Sequence, residues 1–228
     1  MTALIAAENL TAGYGATPVL RQVNVHVNAG EVVALLGANG AGKSTTLLAL
    51  SGELRPTGGS LYWKGAPTCD PLHRRARAGL GFVTEERSVF VNLTCEENLR
   101  LGRGGVKKAV SLVPELKPLL RRKAGLLSGG EQQYLTLARA LAAEPELLLA
   151  DELSLGLAPI IAQRLLDTVR QAADRGSGVL LVEQHIGQAL RVADRVYVMQ
   201  RGQVVLEGSA TDVASRMDEI ESTYLASI

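Results

Sequence analysis

Short aliphatic runs alternate along this chain with longer amphipathic stretches. Residues 31–36, 146–150 and 179–182 are almost wholly aliphatic and too short for an ordinary helix, so they read as buried strands. Residues 4–10 predict another strand. Residues 19–28 alternate, with Val23, Val25 and Val27 on one face and Asn24, His26 and Asn28 on the other. His26 is thus expected to face solvent and is given no functional role. Asn28-Ala-Gly30 and Arg55-Pro-Thr-Gly-Gly59 mark turns, the second leading into a strand through Leu61 and Trp63. Pro71 opens a short helix that carries His73 at the surface, and residues 80–83 predict a strand.

The pattern changes near residue 94. Thr94-Cys-Glu-Glu97 has capping-box spacing and predicts a helix start, which Gly102, Gly104 and Gly105 interrupt. Pro114 and Pro118 keep the following helices short. From residue 131 a helix runs to about 143. A second opens at Pro159, a favoured first-turn residue, and runs to about 174. A third begins near residue 186. Residues 196–199 and 203–207 suit a hairpin around Arg201-Gly202, and Ser209-Ala-Thr-Asp212 can cap a final helix. Strands that alternate with helices imply an α/β fold with a mostly parallel sheet. The expectation is one domain over 1–228: a parallel core, an N-terminal antiparallel β layer and a small helical subdomain near 86–145 inserted in the core.

Composition adds limits rather than chemistry. The 46% apolar content of the 228 residues is ample for a core, yet no run approaches the roughly 20 residues of a membrane span. The N-terminus carries neither a basic start nor a long apolar block, so no secretory signal is expected. The 2 cysteines, Cys69 and Cys95, suit a reducing compartment. A net charge of +1 gives no general pull toward nucleic acid. Residues 100–123 hold eight basic side chains against the single acidic Glu115. They form either a solvated helical face or a surface lying near anionic lipid or an acidic partner.

The candidate chemistry sits after the first buried run. Gly37-Ala-Asn-Gly-Ala-Gly-Lys43-Ser44 fits the phosphate-binding loop G-x-x-x-x-G-K-[ST], and it lies between a strand and a helix as that loop requires. Glycines let the backbone approach a ligand, successive amides make an anion cradle, and the following helix adds its positive end. Lys43 is placed for the β- and γ-phosphates, and Ser44 for Mg²⁺. Asp151 and Glu152 end the second buried run, at the strand edge where parallel sheets bind ligands. Asp151 can then share the metal with Ser44, and Glu152 can polarise water for attack on the γ-phosphate. In Leu127-Ser128-Gly-Gly130-Glu131, Ser128 and Glu131 have capping-box spacing. The two glycines inside the box suggest that a phosphate approaches that helix start as well.

These motifs together resemble the ABC ATPases over nearly the whole chain. The closer likeness is to ATP-binding subunits of branched-chain amino-acid importers. It is carried by the phosphate loop, Glu96-Glu-Asn-Leu99, the stretch from Leu127 to Gln133, Ser154-Leu-Gly-Leu-Ala-Pro159 and Leu181-Val-Glu-Gln-His185. The resemblance implies Mg²⁺-dependent ATP hydrolysis. Nucleotide would be bound by Gly37, Ala38, Asn39, Gly40, Ala41, Gly42, Lys43, Ser44 and Thr45. Tyr14, in Gly13-Tyr-Gly15, would stack on adenine unless it is an ordinary turn tyrosine. Ser128, Gly129 and Gly130 would contact the γ-phosphate bound by an opposite subunit, so that ATP joins two head-to-tail copies. Residues 154–157 would cross that interface. Glu85 stands where many members carry a metal-sensing Gln, and Glu there is a feature of the amino-acid importer branch. Gln184 falls at the switch position and His185 one later; either one takes that role, or His185 caps the following helix.

The resemblance also implies partners and place: a second ABC ATPase subunit, identical or related, transmembrane permease subunits, and indirectly a solute-binding protein, with no nucleic acid. The subunit would sit peripherally on the cytoplasmic face of the membrane. The loop from Glu85 to Phe90 would meet the permease. The rival is a non-transport ABC ATPase acting as a mechanical switch on another complex. Such proteins carry two nucleotide domains or long coiled-coil arms, and this chain has one phosphate loop and no heptad arm.

Overall fold

The computed structural model describes residues 2–15 and 17–220; the expected domain runs on into 221–228, which lie outside the described residues. The first two strands, β1 (Ile5–Tyr14) and β2 (Thr17–Val27), form an antiparallel hairpin. The chain then enters β3 (Val32–Gly37) and α1 (Lys43–Ser51), and returns to the hairpin as β4 (Gly58–Trp63) and β5 (Ala66–Pro67). The resulting antiparallel sheet has the order β2-β1-β4-β5. A short helix, α2 (Leu72–Arg77), leads to β6 (Leu80–Val83).

Between β6 and β7 (Leu147–Asp151) the chain is helical: α3 (Cys95–Arg100), α4 (Gly105–Leu112), two 3₁₀ turns and α5 (Gly129–Ala142). It then alternates α6 (Pro159–Asp174), β8 (Gly178–Val182), α7 (Ile186–Leu190) and β9 (Arg195–Gln200). It closes through β10 (Gln203–Ser209), α8 (Ala210–Ser215) and α9 (Met217–Ile220). The second sheet has the order β10-β9-β3-β8-β7-β6. Its pairs are parallel except for the β9–β10 hairpin.

The aliphatic runs are the central strands of this sheet, buried along their whole length because both faces are covered. Alternate residues of β3 serve two cores. Val33 and Leu35 pack with α1 and the antiparallel sheet, whereas Ala34 and Leu36 pack against α7 and α8. Helix α1 lies between the sheets, and its only exposed residue is Ser44, at the N-terminal end. The fold thus buries the helix that follows the glycine loop and leaves one hydroxyl open.

Two expectations change in detail. His26 is half-buried, with its Nδ1 3.1 Å from the Tyr197 hydroxyl, because β2 lies against the edge of the second sheet there. Gly104 does more than interrupt a helix. A Cβ built on it would lie 1.8 Å from the Ala142 carbonyl oxygen, so α4 meets the end of α5 with no room for a side chain. Gly104→Ala is therefore expected to lower unfolding stability by about 1–3 kcal/mol, read from urea denaturation. An unchanged midpoint would show that the contact yields freely.

Candidate functional site

The phosphate loop joins β3 to α1 at the C-terminal edge of the parallel sheet, next to the ends of β6, β7 and β8. Its glycines take conformations that other residues adopt poorly. Gly40 has φ 78°, and Gly42, the residue before α1, has φ 105°. The Ala41 amide donates to the Ala38 carbonyl at 3.1 Å, and the Gly202 amide to the Ala41 carbonyl at 2.9 Å, pinning the loop to the β9–β10 turn. Lys43 lies almost buried beneath the loop. Its Nζ donates to the carbonyls of Gly37 (2.9 Å) and Ala38 (3.2 Å). Burial holds its ammonium below the usual lysine range, while Glu152, Asp151 and Glu85 pull the other way.

A cleft of about 320 Å³ opens beside this loop. It brings together Asn39, Gly40, Gly42, Lys43, Ser44 and Thr45 of the loop and helix with Glu85, Glu152 and Gln184. Gly37, Ala38 and Ala41 are not among its lining residues. Val19 of β2 also lines the cleft. Tyr14 is 57% exposed near the tip of the same hairpin and stays outside the lining. His185 is exposed, precedes α7 without making a side-chain cap bond, and does not line the cleft. It occupies the N-cap position of α7 and caps through its backbone carbonyl, which accepts from the Gln188 and Ala189 amides at 3.0 and 3.1 Å. Gln184 instead reaches in, its Nε2 donating to Glu152 Oε2 at 2.7 Å.

Asp151 and Glu152 differ sharply although they are neighbours. Asp151 ends β7, and its Oδ1 is buried without a hydrogen-bond partner. Burial pushes its carboxyl up to about 6. The Ser44 hydroxyl opposes this, Glu152 and Glu85 add to it, and Lys43 opposes it. A lone buried oxygen beside a serine hydroxyl, with two more carboxylates near, is a setting that a hard divalent cation relieves. Ser44, Asp151 and Glu85 thus fit Mg²⁺. Glu152 leaves the strand with φ 49°, a left-handed conformation costing on the order of 1–3 kcal/mol. It is held there by its amide, which donates to the Val182 carbonyl at 2.9 Å.

The raised Asp151 value carries a stability consequence. Below its unfolded value near 3.8 the group costs nothing, and stability is lost as pH rises through about 6. Asp151→Asn is expected to stabilise the metal-free protein at pH about 7.5, by on the order of 1–3 kcal/mol. The gain should vanish below pH about 4. Denaturation of both proteins at the two pH values is the check; equal stability at the higher pH would contradict it.

The second glycine stretch lies apart from this cleft. Ser128 caps α5: its Oγ accepts from the Glu131 amide at 3.3 Å, and its own amide donates to Glu131 Oε2 at 2.6 Å. Both glycines have close neighbours within the chain. A Cβ on Gly130 would come within 3.0 Å of the Ile161 side chain of α6, and one on Gly129 within 2.9 Å of the Arg87 guanidinium. Gly130 is thus packed tightly against α6, whereas the Arg87 guanidinium, the end of a flexible side chain, can move aside from Gly129. Among the eight basic residues from 100 to 123, Arg100 pairs with Glu96, Lys108 with Glu144 and Arg122 with Glu131.

Sequence reasoning missed the pair formed by Glu183 and Ser154. Glu183 is 1% exposed, accepts from Ser154 Oγ at 2.5 Å and from the Ser154 amide at 3.2 Å, and has its carboxyl pushed up to about 7 by burial. The available signal was a carboxylate directly after the aliphatic run of β8.

Amides, ammonium and carboxylates gathered at this sheet edge suit a triphosphate and its metal, and with the strand–loop–helix order they define a P-loop nucleotide-binding protein. Comparison with known proteins narrows the class. The chain belongs to the ABC transporter family, whose match covers residues 20–154. It is 39% identical to the high-affinity branched-chain amino acid transport ATP-binding protein BraG of Pseudomonas aeruginosa, over 97% of this chain and 99% of that one. It is also 34% identical to the lipopolysaccharide export system ATP-binding protein LptB of Acidithiobacillus ferridurans, over 93% of each. Among solved structures, an ATP-binding cassette of an ABC transporter in its ADP conformation superposes with a TM-score of 0.85 at 27% identity, covering 97% of this chain and 98% of that one. The protein is an ATP-hydrolysing, ATP-binding subunit of an ABC transporter. Such subunits work as dimers with permease partners. Among the described residues no helix is long and apolar enough to cross a membrane.

Proposed function

We propose that this subunit powers import of branched-chain or other hydrophobic amino acids. The observation that supports the reading is end-to-end similarity to a branched-chain transport ATPase at 39% identity. In this reading Lys43 and the loop amides hold the β- and γ-phosphates, and preorganised charge of that kind supplies most of the catalysis. Ser44, Asp151 and Glu85 hold Mg²⁺, which when bound neutralises charge on the phosphate oxygens. Glu152 orients the attacking water, and Gln184 steadies Glu152 through their 2.7 Å bond. Tyr14 stacks on adenine from the hairpin tip. Ser128, Gly129 and Gly130 face the nucleotide of an opposing subunit, which is a second, related ATPase.

Closure on ATP and opening after hydrolysis then drive the permease. The loop from Glu85 to Phe90 is its contact, and Phe90 and Val91 are both more than half exposed there. The complex sits with this subunit on the cytoplasmic face and receives its solute from a binding protein. The test is reconstitution of the subunit with the permease subunits that co-purify with it, with and without candidate solute-binding proteins. ATP-dependent uptake of leucine, isoleucine or valine is expected. ATP-driven lipopolysaccharide extraction without amino-acid uptake would replace import with export.

A further inference from the structure

We propose that the buried Glu183 carboxyl is a positioning residue for hydrolysis, tying the strained Glu152 to the loop that begins at Ser154. The inference rests on Glu152 as the water-orienting group. Two chain segments meet here, 151–154 at the end of β7 and 182–184 at the end of β8, and four hydrogen bonds cross between them. The Glu152 amide donates to the Val182 carbonyl at 2.9 Å, and Gln184 Nε2 to Glu152 Oε2 at 2.7 Å. The Ser154 hydroxyl and amide donate to the two Glu183 oxygens at 2.5 and 3.2 Å. Glu183 does not line the cleft. Its two bonds are the buried half of the clamp.

The geometry asks for such a clamp. Glu152 sits at φ 49°, and a strained residue persists only where its surroundings over-determine it. Residues 155 and 156, next along the loop, are exposed, and the Leu155 amide donates to the Glu152 carbonyl at 3.2 Å. With Ser154 anchored on Glu183, movement of that loop is passed to Glu152 two residues back. Burying a carboxyl costs free energy, and the two bonds from Ser154 offset part of it. An amide keeps the clamp, because the serine hydroxyl can accept as well as donate; alanine cannot.

ATP hydrolysis and ATP affinity of the full-length chain provide the test, for Glu183→Ala, Glu183→Gln, Ser154→Ala and Glu152→Gln. Expected is a kcat at least tenfold lower for Glu183→Ala with ATP affinity changed less than threefold. Glu183→Gln should retain at least a third of the wild-type kcat. Ser154→Ala, which leaves the bond from the Ser154 amide to Glu183 in place, should slow kcat in the same way, and its loss should not add to that of Glu183→Ala. Wild-type kcat in both alanine variants overturns the inference, as does a Glu183→Gln variant as slow as Glu183→Ala. Full turnover by Glu152→Gln would instead remove the reading of Glu152 on which it stands.

Discussion

The Glu152→Gln variant is expected to hydrolyse ATP some 10²–10⁴-fold more slowly than the wild type while binding it as tightly. The change is nearly isosteric, so the left-handed backbone at this position has no reason to move. The replacement's amide oxygen can still accept from Gln184, and the bond from the Glu152 amide to Val182 is untouched. What disappears is the cleft-lining carboxylate that is hydrogen-bonded to Gln184 and can take up a proton from water. In the proposed reading phosphate binding rests on the loop amides, Lys43 and the metal groups, all of which remain in place, although Lys43 loses one neighbouring charge. Single-turnover hydrolysis and calorimetric ATP binding separate the two effects. Hydrolysis at the wild-type rate would show that another group orients water; weakened binding would show that Glu152 holds the nucleotide.

Much of this site could be read along the chain because its parts are local. The switch from the aliphatic run of β3 to a glycine loop and then a helix occupies residues 32–51 without interruption, so period and turn chemistry suffice. Pro159 starts α6 where a first-turn proline is expected, and both capping boxes close as their spacing requires. The features that were not legible join residues far apart. His26 meets a tyrosine 171 positions away, and Ser154 meets a glutamate 29 positions away. Gly130 looks like a ligand-binding glycine in isolation, and only the approach of Ile161 on another helix gives it a packing reason. Local pattern says which residues can bend or bond; the sheet order decides which ones meet.

Lys43→Ala carries the second large effect, and it falls on binding. The ammonium is already desolvated, held by the carbonyls of Gly37 and Ala38 at 2.9 and 3.2 Å. Burial lowers its pKa, and its neighbours Glu152, Asp151 and Glu85 oppose that shift. Phosphate oxygens can take over from those carbonyls with little rearrangement, because the side chain is confined under the loop and most of its desolvation is complete before nucleotide arrives. A charge-assisted hydrogen bond of this kind contributes about 1.5–3 kcal/mol, so ATP affinity should fall by roughly 10- to 150-fold. The loop loses two internal bonds as well, which loosens the cradle in the same direction. Adenosine, which lacks phosphates, should bind the variant and the wild type alike. Calorimetry with ATP and adenosine gives both numbers. Unchanged ATP affinity would mean that the amides alone grip the phosphates and that Lys43 serves only to brace the loop.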